Sequence, residues 1–256
     1  MRGTMPQEIL PTSPACVSPR TVTALREMAR LSGRLQAMGI PVAELESAAG
    51  LPALWLDRGV LHRPAAVLST ELDPDSFDEA LDVVCRLAAG RPLSVLPYGT
   101  ALAHPERLRL REGDVALPIY EPLGASALRF QVNRAIAPIS APDRGAHRAP
   151  IELEVLLKFG MRSLTSRVYT LSSRGAFLLL DRSLRPGRRV ELEVPVGGAN
   201  HPRASGRVTF VNRVNAPAHP DLPAGVALRF DRVDAIAACA IDHLVERRLN
   251  TLQIRF

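Results

Sequence analysis

Apolar residues fall into three kinds of spacing along the chain. From Thr21, Ala24, Met28, Leu31, Leu35 and Met38 recur at steps of four, three, four and three, with Leu25 broadening the stripe, and Gly39 and Pro41 close the segment. That spacing predicts an amphipathic helix. Its seam runs for two heptads, so it reads first as packing against its own domain, with a homodimer left open. Val42–Ala49 predicts a second short helix, stopped by Gly50-Leu51-Pro52. A third helix is predicted over Phe77–Ala89, with Ser76 as N-cap, Glu79 in the capping-box position, and Phe77, Ala80, Leu81, Val84, Leu87 and Ala88 as its buried face.

After Gly90 the texture turns to short apolar runs that predict strands: Leu93–Leu96, Leu108–Leu110, Val115–Ile119 and Ala127–Val132. Gly99, Glu112-Gly113-Asp114 and Pro122 mark the turns between them. Residues 21–133 therefore read as a small α+β domain, preceded by a loose lead-in with prolines at 6, 11, 14 and 19. Residues 134–150, rich in Ala and Pro, read as a linker.

Strict alternation dominates the rest. Ile151, Leu153, Val155, Leu157 and Phe159 alternate with Glu152, Glu154 and Lys158, the period of a half-buried strand. Further strands are predicted over Arg167–Leu171, Ala176–Leu180, Val190–Val194, Arg207–Val214 and Gly225–Phe230. A final helix over Arg232–Arg248 carries Val233, Ile236, Ala237, Ala240, Ile241, Leu244 and Val245 on one stripe. Six strands in meander order with a closing helix predict a six-stranded antiparallel β-barrel over residues 151–256.

Composition narrows the class. Apolar residues make up 46% of 256 residues, which suits a packed protein and argues against disorder. Residues 144–256 hold 18 Lys+Arg against 10 Asp+Glu, a net of +8, while residues 1–143 hold 14 against 16, a net of −2. An anionic ligand or partner is therefore expected in the C-terminal half. Cys16, Cys85 and Cys239 are widely spaced and never in C-x-x-C. That disfavours a disulfide scaffold and a zinc site, and places the chain in a reducing cytoplasm. No apolar run approaches the roughly 20 residues of a membrane helix, so no membrane insertion is expected.

Catalytic patterns are missing: there is no G-x-S-x-G, no partnered Ser or Cys and no phosphate-binding glycine loop. His201 and His219 lie in loops without a third ligand at metal spacing, so no metal is expected. A helix, a glycine turn and Ala53–Asp57 have the outline of a helix-turn-helix. That segment, Ala53-Leu54-Trp55-Leu56-Asp57, offers no basic or amide group to base edges, so DNA is not expected. The low aromatic content, 4%, also argues against single-strand binding by the basic half.

One stretch carries candidate chemistry. Arg144-Gly145-Ala146-His147-Arg148 sets two arginines four apart; one alternating strand follows, then Thr170-Leu171-Ser172-Ser173-Arg174-Gly175. The pair resembles the two motifs of the PilZ domain family of cyclic di-GMP receptors, R-x-x-x-R and [DN]-x-S-x-x-G, with Thr170 where the family has Asp or Asn. The order of elements over about residues 142–250 resembles that family too. The resemblance implies that Arg144 and Arg148 wrap the dinucleotide, while Thr170, Ser172 and Gly175 form its floor. Arg174 either adds positive potential or faces water. Glycine at 175 is expected to permit a turn and a close approach to a base. A regulatory protein follows from the resemblance, with cyclic di-GMP as ligand rather than cofactor and an unidentified protein partner in motility or envelope processes. An adaptor that no longer binds nucleotide is the alternative, motivated by Thr170.

Overall fold

A computed structural model of the chain describes residues 19–46, 52–100, 110, 112–120, 122–137, 147–180, 184–195, 203–215, 217, 219 and 222–252. The expected strand over Leu108–Leu110 falls mainly outside them. The N-terminal half is a mixed sheet with helices on both faces. Helix α1 (Pro19–Ala37) buries the expected Ala24, Met28, Leu31 and Leu35. Strand β1 (Ala43–Glu46) then pairs antiparallel with β2 (Pro52–Leu56), so the helix expected from Val42 is a strand instead. Four residues with one β-branched neighbour carry little helical preference; pairing with the buried β2 decides the outcome.

Strand β2 pairs antiparallel with β3 (Ala65–Ser69), and helix α2 (Pro74–Leu87) crosses over to β4 (Ser94–Gly99), which lies parallel to β3. All five residues of β3 are buried, as expected of a central strand covered on both faces. Short strands β5 (Val115–Ala116) and β6 (Ile119–Tyr120) each run parallel to β4. Helix α3 (Ala125–Ala135) replaces the strand expected over Ala127–Val132. Its buried positions, Ala127, Leu128, Gln131, Val132 and Ala135, repeat at helical spacing, which the run of apolar and aromatic residues hid.

α1 and α3 pack on one face: Met28, Leu31, Leu128 and Val132 meet Leu54, Val67 and Leu96. On the other face Phe77, Leu81 and Val84 of α2 meet Ala66, Leu68 and Val95. The cap of α2 lies three residues before the expected Ser76. Asp73 is the N-cap, its carboxylate accepting from the Ser76 N–H at 3.0 Å and from the Ser76 hydroxyl at 2.7 Å.

The C-terminal half is a closed six-stranded antiparallel barrel of β7 (Ala149–Phe159), β8 (Arg162–Ser172), β9 (Gly175–Leu179), β10 (Arg189–Glu193), β11 (Arg203–Asn212) and β12 (Gly225–Val233). It is not a meander. β9 pairs with β12, and β10 pairs with β7 as well as β11. Closing the barrel this way gives every strand a paired neighbour on both sides. The β7–β10 seam is pinned by Lys158, whose ammonium lies 2.5 Å from a Glu193 oxygen.

Helix α4 (Ala235–Thr251) follows, capped by Asp234, whose carboxylate accepts from the N–H groups of Ala237 at 2.6 Å and Arg203 at 2.9 Å. Ile241 and Val245 face the barrel core. Leu252, just past the helix, is 3% exposed and belongs to the core shared by α1 and α3. Its carbonyl accepts from Gln131 Nε2 at 2.9 Å. The helix and its C-cap residue thus reach both hydrophobic cores.

Candidate functional site

β8 and β9 form a hairpin whose turn is Ser173-Arg174, with Ser172 paired to Gly175. The Ser172 hydroxyl donates to the Gly175 carbonyl at 3.1 Å, closing the turn from within. Arg174 is exposed, and its carbonyl accepts from the Phe230 N–H at 2.9 Å, tying the turn to β12. Gly175 does not have a positive φ. What excludes a side chain there is proximity: a Cβ would lie 2.1 Å from the Leu228 carbonyl oxygen.

Thr170 is buried at 3%, paired with Pro150 on one side and Phe177 on the other, beyond a register shift that follows Val168. Around it lies a second small core, outside the barrel. Tyr169 and Phe177 meet edge to face at 5.8 Å, Phe177 and Phe210 lie 5.9 Å apart, and the His219 ring stands at 5.0 Å from Phe210. Asn212 holds the covering loop. Its amide donates to the carbonyls of His219, Leu222 and Pro223, and its oxygen accepts from the His219 N–H. With Tyr169 and Phe177 at 2% and 1% exposure, these rings stiffen the outer wall and present no stacking platform.

Arg148, the described arginine of the first motif, reaches the same place along β7. Ala149 pairs with Leu171 and Pro150 with Thr170, so half-buried Arg148 immediately precedes a strand that starts beside Ser172. Arg248 Nε on α4 donates to the Pro150 carbonyl at 3.2 Å, fixing that start. Arg144 lies outside the described residues. The geometry therefore gathers Arg148, Thr170, Ser172, Arg174 and Gly175 at one end of the barrel wall.

Register adds residues that the sequence reading missed. Gly175 pairs with Arg229, Arg229 with Arg207, and Arg207 with Arg189, all three arginines exposed. Alternation with Leu228, Val208 and Val190 marks each as outward; only strand pairing sets them in one row beside the motif. Among the described residues no group of three or more His, Cys, Asp or Glu could hold a metal ion. Among them, too, no helix is long and apolar enough to cross a membrane.

A closed six-stranded barrel with Arg148, Thr170, Ser172 and Gly175 on one wall defines the class. Residues 142–247 match the family described as "PilZ domain", and the C-terminal half of this chain is a PilZ domain. The N-terminal region is not assigned to a family by that match. No curated protein sequence matches the chain. Among solved structures, the Bacillus subtilis inhibitor of motility (MotI/DgrA) is 15% identical, with 45% of this chain and 58% of that chain covered and a TM-score of 0.35. The PilZ domain of YcgR from Escherichia coli, with c-di-GMP, is 15% identical over 43% of this chain and 94% of that one, at a TM-score of 0.33. The Borreliella burgdorferi PlzA protein in complex with c-di-GMP is 10% identical over 47% and 46%, at 0.30. At these TM-scores the likenesses carry no inference of their own.

Proposed function

We infer that this chain is a cyclic di-GMP-binding regulatory protein that works by changing the arrangement of its two halves. The observation that carries the reading is the β7–β8 register, which starts the strand after Arg148 beside Ser172 and Gly175 in a PilZ domain. Two guanidinium forks suit this ligand class, since a fork matches both phosphate oxygens and the O6/N7 edge of guanine. Gly175 lets β9 and β12 approach closely and adds no side chain where the ring would rest.

Coupling to the N-terminal half has a physical route. β7 carries Glu152, whose carboxylate accepts from the Ser126 N–H at 3.2 Å at the start of α3. The same strand start is held by Arg248 of α4, and α4 leads to Leu252 in the N-terminal core. Drawing residues 144–148 onto a ligand would therefore bias two elements that contact the N-terminal half, a shift in populated arrangements. The output is a contact with another protein, in motility or envelope processes. Residues 21–133 serve as the responding domain, 134–150 as the ligand-gripping linker and 151–256 as the receptor.

A second reading rests on Thr170. It is buried at 3% and lacks the carboxylate or amide of the family pattern, which favours an adaptor that binds no nucleotide. Titration calorimetry with cyclic di-GMP decides between them. The receptor predicts micromolar binding by the wild type, lost in Arg144→Ala/Arg148→Ala. It also predicts roughly tenfold tighter binding by Thr170→Asn, which restores an amide acceptor without burying a charge. Absence of heat from the wild type at high ligand concentration leaves the adaptor.

A further inference from the structure

We propose that Arg229 is an additional ligand-binding residue of this site, taking a phosphate of the bound cyclic dinucleotide; this deepens the receptor reading and rests on it. The position follows from register. Ser172, Gly175 and Arg229 are consecutive partners across β8, β9 and β12, so Arg229 stands one strand spacing from Gly175, about 4.8 Å, and two from Ser172. Gly175 adds no side chain to the wall between them. A ring lying over the β8–β9 turn has its near edge at Arg229.

Charge supports the same assignment. Arg229 faces Arg207 directly across β11–β12, and Arg207 faces Arg189 across β10–β11. Like charges directly opposite on a sheet destabilise it. Only Arg207 has a carboxylate, Asp231 at 3.1 Å, while among the described residues no acidic side chain pairs with Arg229 or Arg189. The row therefore holds a cationic surplus that a bound anion would offset. Distance separates the members. Arg189 is three strand spacings from Gly175, beyond a ligand seated on the motif, and Arg207 is held by Asp231.

An arginine retained for a ligand differs from one retained for the fold in what its removal does. Without ligand, Arg229→Ala relieves the opposition to Arg207, so its melting temperature should equal or exceed that of the wild type. With cyclic di-GMP, calorimetry on the full chain should show Arg229→Ala weakened about tenfold or more. Arg229→Lys should fall between, since lysine keeps the charge and loses the fork. Arg189→Ala should stay within twofold. Binding by Arg229→Ala and Arg229→Lys within twofold of wild type, alongside loss in Arg144→Ala/Arg148→Ala, overturns the assignment and leaves the receptor standing. An equal loss in Arg189→Ala overturns it as well, because the row would then act as a diffuse field. A wild type that binds no cyclic di-GMP removes both.

Discussion

At Gly175 the backbone of β9 lies so near β12 that a Cβ would sit 2.1 Å from the Leu228 carbonyl oxygen. A carbonyl in a paired strand cannot rotate aside, so the strands themselves must part. Gly175→Ala should therefore destabilise the barrel at the upper end of the about 1–3 kcal/mol typical of overpacking, read as a lower urea midpoint. A midpoint unchanged from wild type would show that the β9–β12 seam yields without loss. Ser172 at the other side of the turn spends its hydroxyl on the Gly175 carbonyl, so in this state the motif's serine shapes the turn. The motif residues were legible in the sequence, but their local roles were not. Serine and glycine three positions apart say nothing of which strand lies against them.

Helix α2 shows how an element's boundary is set by chemistry that spacing blurs. Ser76 and Glu79 have the form of a capping box, yet Asp73 wins because Pro74 suits the first helical turn and the carboxylate reaches the Ser76 N–H. That hydrogen bond holds the Asp73 carboxyl below its usual 3.8. A depressed folded pKa gives stability that is present above about pH 4 and is lost as the pH falls through the lowered value. Asp73→Ala should thus cost about 1 kcal/mol at neutral pH, with the gap to wild type closing on acidification, as followed by thermal melting from pH 7 to 3. A gap that stays constant over that range would separate the cap from the carboxylate's charge. β1 and α3 went the opposite way from their local patterns for a shared reason. Short apolar segments fit either period, and the neighbour they pack against chooses.

Across the whole molecule, α4 joins two cores. Its Ile241 and Val245 belong to the barrel, and Leu252 belongs to the core of the N-terminal sheet. Leu252→Ala should cost about 2–5 kcal/mol. The loss should appear in the unfolding of the N-terminal half, reported by the fluorescence of Trp55 on β2, the single tryptophan of the chain. An unshifted Trp55 transition would mean that the contact contributes little to that core. The Glu152–Ser126 and Gln131–Leu252 hydrogen bonds run between the same halves, so a change at the start of β7 has more than one path to the sheet.

What the sequence determined alone is what period and charge encode locally: the helical stripe of α1, the alternation of β7, the basic C-terminal half, and two motifs one strand apart. Those signals survive because each depends on residues close together in the chain. Tertiary structure decided the rest. It turned a predicted meander into a barrel closed by β7–β10 and β9–β12, made a strand of β1 and a helix of α3, and drew Arg229, Arg207 and Arg189 into line with Gly175. Pairing between strands distant in sequence depends on which hydrogen-bonding edges remain open once the others have closed, and no local pattern records that.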